Sequence, residues 1–328
     1  MSYTNDDLKI MQSWPLERKI RVTQTRIMEW YQHYNGQVYV SFSGGKDSTV
    51  LLDLARRIYP DIEAVFIDTG LEYPEIKRFV KTFSNVTTIK PEMKFQDVIE
   101  KYGYPVISKE VSECVSQARK NVTTGKYTYR VERINGTAKD KHGNPSQFNM
   151  LKHKYLMDAP FCVSHKCCDI MKKKPSHKYN KITGKNPITG QMAAESRLRL
   201  THWKHSGCNG FDMKNPMSNP MSFWTEQDVL HYLKDFNIPY CDVYGDIVAV
   251  DQFDGQITIS EKVDVLETTG CKRTGCIFCM FGVHLEKGEN RFQRLKHTHP
   301  KQYDYCMRPV DEKGLGLADV LDFIGVEH

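Results

Sequence analysis

Val38-Tyr39-Val40-Ser41-Phe42-Ser43-Gly44-Gly45-Lys46-Asp47-Ser48-Thr49-Val50-Leu51-Leu52-Asp53-Leu54 is the stretch whose reading decides the fold. An apolar, β-branched run breaks at Gly44-Gly45, then resumes with Val50, Leu51, Leu52, Leu54 and Ala55 as a buried helix face does. The pattern is strand, glycine turn, helix. Glycine has no Cβ, so the backbone can curl until its N–H groups converge, and the helix N-terminus beyond adds partial positive charge. An anion suits that spot, with Lys46 supplying a full charge and Ser43, Ser48 and Thr49 supplying hydroxyl donors.

Working outward, Ile62 to Ile67 reads as a second strand ending in Asp68-Thr69-Gly70, and Val86 to Ile89 as a third. Strand-helix-strand at this length is a parallel crossover unit. Ligands of an open parallel sheet bind beyond the strands' carboxyl ends, so the Asp68 tip is expected beside the Gly44-Gly45 loop. Asp68 is read either as a cap for the helix near Tyr73-Pro74-Glu75 or as a nucleotide or magnesium contact. Leu16 to Tyr34 has the spacing of an amphipathic helix ended by Asn35-Gly36, and Phe95 to Tyr102 is another helix. Further on, Glu195-Ser196-x-x-Arg199 places a guanidinium suited to bidentate phosphate recognition. Thr225 and Asp228 cap a structural helix carrying Val229, Leu230, Tyr232 and Leu233.

The 328 residues allow one large domain or a domain with an appendage, and 40% hydrophobic with 11% aromatic residues fits a globular chain. No apolar run is long enough for a bilayer, and the polar stretch Met1 to Glu17 has no signal-peptide core, which predicts a cytoplasmic protein with no membrane partner. A formal charge of +6 permits a polyanionic ligand without demonstrating nucleic-acid binding. From about Glu113 to Leu156 the chain is rich in Lys, Thr, Asn and Gly with weak periodicity, as a solvated insertion is. The competing reading is an acceptor-binding lobe, because Lys120, Lys126, Tyr127, Tyr129, Arg130 and Arg133 mix cationic and aromatic groups.

Ten cysteines in a reducing compartment point to metal or redox work rather than to a disulfide framework. Cys167 and Cys168 are adjacent, a spacing that strains a mutual disulfide. Cys276-Ile277-Phe278-Cys279 can place two sulfurs on one metal, with Gly270-Cys271 just before it. Four or more thiolates result, and an iron-sulfur cluster is expected, with zinc as the alternative. Lys172 to Lys174 are either a solvated run or a hold on a nucleotide's anionic end. Cys306 is open to three readings: a fifth ligand, a redox nucleophile or a packed thiol. Packing is expected of Cys114, Cys208 and Cys241.

Ser43-Gly44-Gly45-Lys46-Asp47-Ser48 differs from the Walker pattern and resembles the PP-loop of ATP pyrophosphatases, which cleave ATP between its α and β phosphates and adenylate an acceptor. Other matches are Asp68-Thr69-Gly70 with Tyr73-Pro74-Glu75, Cys167-Cys168 with Lys172 and Pro175, and Glu195-Ser196 with Arg199. Asn219-Pro220 leading into Trp224-Thr225-x-x-Asp228-Val229, and Ile238-Pro239-Tyr240, complete the set. Together they resemble the phosphoadenosine phosphosulfate reductase family of the adenine nucleotide α-hydrolase superfamily. The resemblance implies an α/β fold, a Rossmann-like (HUP-type) parallel sheet with helices on both faces, plus a cysteine-rich C-terminal region. The implied divisions are a nucleotide-binding core in 1–112, a polar insertion in 113–156, the rest of the core in 157–245 and a metal-binding region in 246–328.

By that resemblance the nucleotide is held by Ser41, Ser43, Gly44, Gly45, Lys46, Asp47, Ser48, Thr49, Asp68, Thr69, Gly70, Glu195, Ser196 and Arg199. Lys46, Asp47, Arg199 and Cys306 are the catalytic candidates. Cys167, Cys168, Cys276 and Cys279 match the 4Fe-4S pattern of adenylyl sulfate reductases, while Cys271 has no counterpart there. Two departures bear on the reaction. The reductases end in a catalytic Cys-Gly-Leu-His, whereas Asp322 to His328 contains no cysteine, and the loop here is intact where reductases tend to carry a degenerate one. Met192 stands where relatives often have arginine. The expected function is therefore ATP pyrophosphatase or adenylating chemistry coupled to sulfur transfer, like the DNA-phosphorothioation members, using ATP, Mg2+ and the cluster. The alternatives are a sulfonucleotide (APS or PAPS) reductase producing sulfite, and a non-catalytic nucleotide-binding subunit of a modification or defence complex. Expected partners are an adenine nucleotide, a nucleic-acid or small-molecule sulfur acceptor, a sulfur-donor or reductant protein, and further copies of the chain.

Overall fold

A computed structural model describes residues 3–250 and 265–328. Among these, backbone contacts define two units that interleave along the chain: residues 3–68, 72–90, 175–250 and 265–275 form one, and 69–71, 91–174 and 276–328 form the other.

The strands of the described residues are β1 (Val38–Ser41), β2 (Ala64–Ile67), β3 (Val86–Ile89), β4 (Val106–Ile107), β5 (Asn186–Ile188), β6 (Asn209–Gly210), β7 (Met217–Ser218), β8 (Ile247–Val250), β9 (Val265–Thr268) and β10 (Met280–Phe281). In the first unit six of them form a sheet of order β3-β2-β1-β5-β7-β6, parallel except where β6 meets β7. Val40 pairs with Ala64 on one side and Ile188 on the other. Val38, Tyr39 and Val40 are all buried, as expected of a parallel strand covered on both faces. The order reverses between β1 and β5, so the loops leaving these two strands flank the switch point where open sheets bind ligands.

The helices Leu16–His33, Lys46–Arg56 and Glu226–Asp235 pack together beside this sheet. The first ends where expected, with Asn35 and Gly36 at positive φ (47° and 77°). The third starts at the expected capping box: Asp228 Oδ2 accepts from Thr225 N at 2.6 Å, and Thr225 Oγ1 accepts from Asp228 N at 3.3 Å. Asp228 also accepts from the buried Lys19 ammonium, 2.7 Å from both carboxylate oxygens. A charge so buried needs a partner of this kind.

In the second unit β4 and β10 pair in parallel. The stretch expected to be a solvated insertion is largely helical: Lys109–Thr123, Tyr129–Asn135 and Leu151–Asp158 pack on one another. Its periodicity was masked because polar residues are buried with partners. Ser146 Oγ accepts from Phe148 N at 3.2 Å, and the Arg133 guanidinium donates to Glu110 at 2.6 Å and to Phe148 O at 2.8 Å. Tyr127 and Tyr129 remain exposed. No helix among the described residues is long and apolar enough to cross a membrane.

Candidate nucleotide site and cysteine centre

The chain leaves β1 through Phe42, turns at Ser43-Gly44-Gly45 and enters the helix Lys46–Arg56. Gly44 has φ +73°, and a Cβ there would lie 2.8 Å from Val80 Cγ2 and 2.9 Å from Ile76 Cγ2, so both backbone and space require glycine. The hydroxyls brace the turn: Ser48 Oγ donates to Gly45 O at 2.9 Å and accepts from Ser43 N at 3.2 Å, while Thr49 Oγ1 donates to Gly45 O at 3.1 Å. Across the switch point, a Cβ on Gly190 would lie 3.2 Å from Asp47 O, which brings the loop after β5 against the loop after β1.

Lys46 is only 3% exposed. Its Nζ donates to Lys272 O at 2.8 Å and lies 3.0 Å from Glu226 Oε1. Its backbone N–H donates to Tyr244 OH at 3.1 Å, and that hydroxyl is 2.6 Å from Thr274 Oγ1. Burial raises the pKa of Tyr244 and keeps the phenol protonated.

Asp47 Oδ1 is buried with no hydrogen-bond partner among the described residues. Burial raises its pKa, opposed by the charges of Lys46, Arg273 and Arg199. Glu195 pairs with both Arg199 and Arg273, and its Oε2 accepts from Met192 N at 3.0 Å. Burial lowers the Arg199 pKa, with help from the like charge of Arg273. Ser196 Oγ accepts from Arg199 N at 3.2 Å, so its hydroxyl caps the helix Arg197–Ser206. Ser41 closes β1 half-buried. Asp68 pairs with Lys77 at 2.6 Å. Thr69 and Gly70 belong to the second unit, where Thr69 Oγ1 accepts from Leu71 N at 3.2 Å and Gly70 has φ +78°.

The second unit holds Cys167, Cys168, Cys276 and Cys279. Cys168 precedes a wide π-type turn, Asp169–Lys173, and Cys167 Sγ lies 3.9 Å from Cys168 Sγ. Hydrogen bonding from Cys167, with the charges of Lys172 and Lys109, lowers the Cys168 thiol below its ordinary value. That hydrogen bond, burial and the neighbouring sulfurs of Cys276 and Cys279 raise Cys167. Cys276 O accepts from Cys279 N at 3.0 Å, and Cys279 O accepts from Arg291 Nη1 at 3.0 Å, which fixes the tight turn between the two cysteines. Among the described residues, no three His, Cys, Asp or Glu side chains converge as a single-ion group. Cys271 falls in the first unit, its N–H donating to Val243 O at 2.9 Å. Cys306 is fully buried, its Sγ donates to Tyr303 O at 3.2 Å, and burial pushes the thiol up to about 12. Such surroundings are those of a packed thiol, not of an activated nucleophile.

The description "Phosphoadenosine phosphosulfate reductase domain" matches residues 37–280. The chain belongs to that family. Among curated relatives of this reductase-family chain, an uncharacterized protein of Methanocaldococcus jannaschii is 38% identical over 95 residues, 27% of this chain and 23% of that protein. Adenosine 5'-phosphosulfate reductase 1 of Bacillus subtilis is 30% identical over 95 residues, 27% of this chain and 41% of the relative. Adenosine 5'-phosphosulfate reductase of Staphylococcus epidermidis is 24% identical over 230 residues, 66% and 70% of the two chains. The alignments thus span less than half of the first two relatives. Among solved structures, the phosphate complex of phosphoadenylyl-sulfate reductase from Candida auris is 13% identical, covering 74% of this chain and 91% of that one at a TM-score of 0.37.

Within this reductase-family chain, sequence reasoning missed Glu226, Tyr244, Lys272, Arg273 and Thr274 at the loop, and Lys109 beside Cys168. The triplet Lys272-Arg273-Thr274 carried a signal, cationic and hydroxyl-bearing between glycines, but its neighbouring cysteines drew the metal reading instead. Glu226 and Tyr244 gave none, since only the fold brings them to Lys46.

Proposed function

We propose that this chain binds an adenine nucleotide on the Ser43–Ser48 loop and uses ATP to adenylate an acceptor, ahead of sulfur transfer. The observation that carries this reading is the loop itself, which is undegraded, built around a Gly44 that admits no side chain, and continued by Lys46 and the helix N-terminus. In the reaction an acceptor oxygen attacks the α-phosphorus, the bond to the bridging oxygen breaks, and pyrophosphate leaves with the electron pair. Lys46 and Arg199 offset the phosphate charge. Asp47, with its unpartnered oxygen, fits a nucleotide-bound Mg2+ better than Asp68, which is paired with Lys77. Cys167, Cys168, Cys276 and Cys279 fit a 4Fe-4S cluster, because four cysteine thiolates are its ordinary donor set and the Cys276 and Cys279 sulfurs lie near enough to act on Cys167. Such a cluster supplies electron-transfer or sulfur chemistry when bound. The test is incubation with ATP and candidate acceptors: pyrophosphate should appear with wild type and vanish with Lys46→Met. Tight ATP binding with an intact metal centre and no pyrophosphate would overturn the reading.

A second reading, sulfonucleotide reduction to sulfite, is favoured by the names of the Bacillus and Staphylococcus relatives. It needs a thiol nucleophile, and Cys306 is a poor one with its thiol at about 12. Thioredoxin-dependent sulfite release that disappears in Cys306→Ser and survives in Cys114→Ser would establish it.

A further inference from the structure

The residues after β9 form a strap fastened along the nucleotide loop. Thr269 Oγ1 accepts from Asp246 N at 2.9 Å, Gly270 N donates to Tyr244 O at 2.8 Å, and a Cβ on Gly270 would lie 2.6 Å from Val243 O. Only a glycine lets the strap approach this closely. Lys272 O then accepts from Lys46 Nζ, and Thr274 Oγ1 would be 3.1 Å from a Cβ on Gly45. Arg273 lies between these two fixed residues, so its backbone position is set by the loop. Its side chain is 62% exposed and ends on Glu195, whose other guanidinium partner is Arg199. After Lys46, the charge of Arg273 is the largest cationic influence on Asp47, ahead of Arg199.

One carboxylate, itself 16% exposed, thus spans two guanidinium groups at the mouth of the loop. Two guanidinium forks held around one oxyanion group match the requirement of a phosphate, which accepts bidentate hydrogen bonds from arginine. Holding Arg273 there also costs little extra order on ligand binding, because the strap and Glu195 already position it.

We propose that Arg273 is a phosphate ligand of the nucleotide site, and that Glu195 is the internal counter-anion a phosphate displaces. This rests on the reading that the Ser43–Ser48 loop binds a nucleotide. Arg273 is a binding residue, and the strap carrying it is part of the site.

The experiment is equilibrium titration of wild type, Arg273→Gln and Arg273→Lys with ATP, ADP and AMP, with thermal unfolding of each as a fold control. Loss of a charge-assisted bidentate contact should weaken ATP binding by ~10- to 100-fold, and Lys should restore part of it. ATP binding unchanged in Arg273→Gln, while wild type binds ATP, overturns the proposal and leaves the nucleotide site standing. Wild type binding none of the three nucleotides overturns the loop reading and this proposal with it.

Discussion

The Glu226 carboxylate lies 3.0 Å from the Lys46 ammonium, a cation that is only 3% exposed. With the Lys272 carbonyl it satisfies a charge that would otherwise be buried alone. A nucleotide phosphate arriving at Lys46 competes with these partners for the ammonium. Glu226 is the weaker hold, because its side chain is 52% exposed and solvent screens the pair.

Glu226→Gln should therefore bind nucleotide more tightly, by roughly 2- to 5-fold, the range expected when a screened ion pair worth under about 1 kcal/mol no longer competes. Calorimetric titration checks this. Weaker binding in the variant would mean that Glu226 stays on Lys46 in the complex and helps to hold it.

Gly44 and Gly70 both sit at positive φ, but only Gly44 is also crowded. A Cβ at Gly44 meets Val80 and Ile76 below 3.0 Å, whereas nothing lies within 4 Å of one at Gly70. Gly70→Ala should cost ~1 kcal/mol through backbone strain alone. Gly44→Ala should cost ~2–4 kcal/mol, because it adds overpacking to that strain, and nucleotide binding should fall with it. Urea unfolding of both variants decides, and equal costs would show that the loop relaxes away from Val80.

Protein purified without oxygen should contain iron and acid-labile sulfide in equal amounts, about four of each per chain if the centre is 4Fe-4S. Cys168→Ser and Cys276→Ser should each deplete iron, and Cys114→Ser should not, since Cys114 is buried with its Sγ–H on Arg130 O at 3.5 Å. Zinc without sulfide would replace the cluster assignment.

Much of the first unit was legible because its signals are local. The break at Gly44-Gly45, the Thr225–Asp228 capping box and the stop at Asn35-Gly36 each depend on residues within a few positions. The reversal of strand order between β1 and β5 was not legible, since some 145 residues of chain separate the two strands and no short-range pattern encodes their pairing. For the same reason Arg273, read among cysteines, was missed at the loop. The interleaving of two units was hidden by contiguous reading: Cys276 follows Gly275 directly yet belongs with Cys167 and Cys168. The helical nature of 113–156 was obscured by residues such as Arg133, a cation buried by specific partners where a periodicity reading expects an apolar side chain.

Cys306 supplies the pH prediction. Its thiol is pushed from an ordinary 9.0 up to about 12, chiefly by burial. Below pH 9 the thiol is protonated both in the native and in the unfolded chain, and the stability it contributes is fully present. Between 9 and about 12 only the unfolded chain loses the proton, so stability falls by up to ~1.4 kcal/mol per pH unit from this group. Cys306→Ala removes that slope. The stability gap between wild type and variant, measured by urea unfolding, should therefore narrow from pH 8 to pH 10 by about 1 kcal/mol. Other buried thiols, such as Cys208 and Cys241 at about 11, are common to both proteins and cancel in the difference. In the native protein at pH 8, iodoacetamide should label the exposed Cys162 and spare Cys306. Rapid labelling of Cys306, or a gap independent of pH, would show a reactive thiol there and return sulfonucleotide reduction to first place.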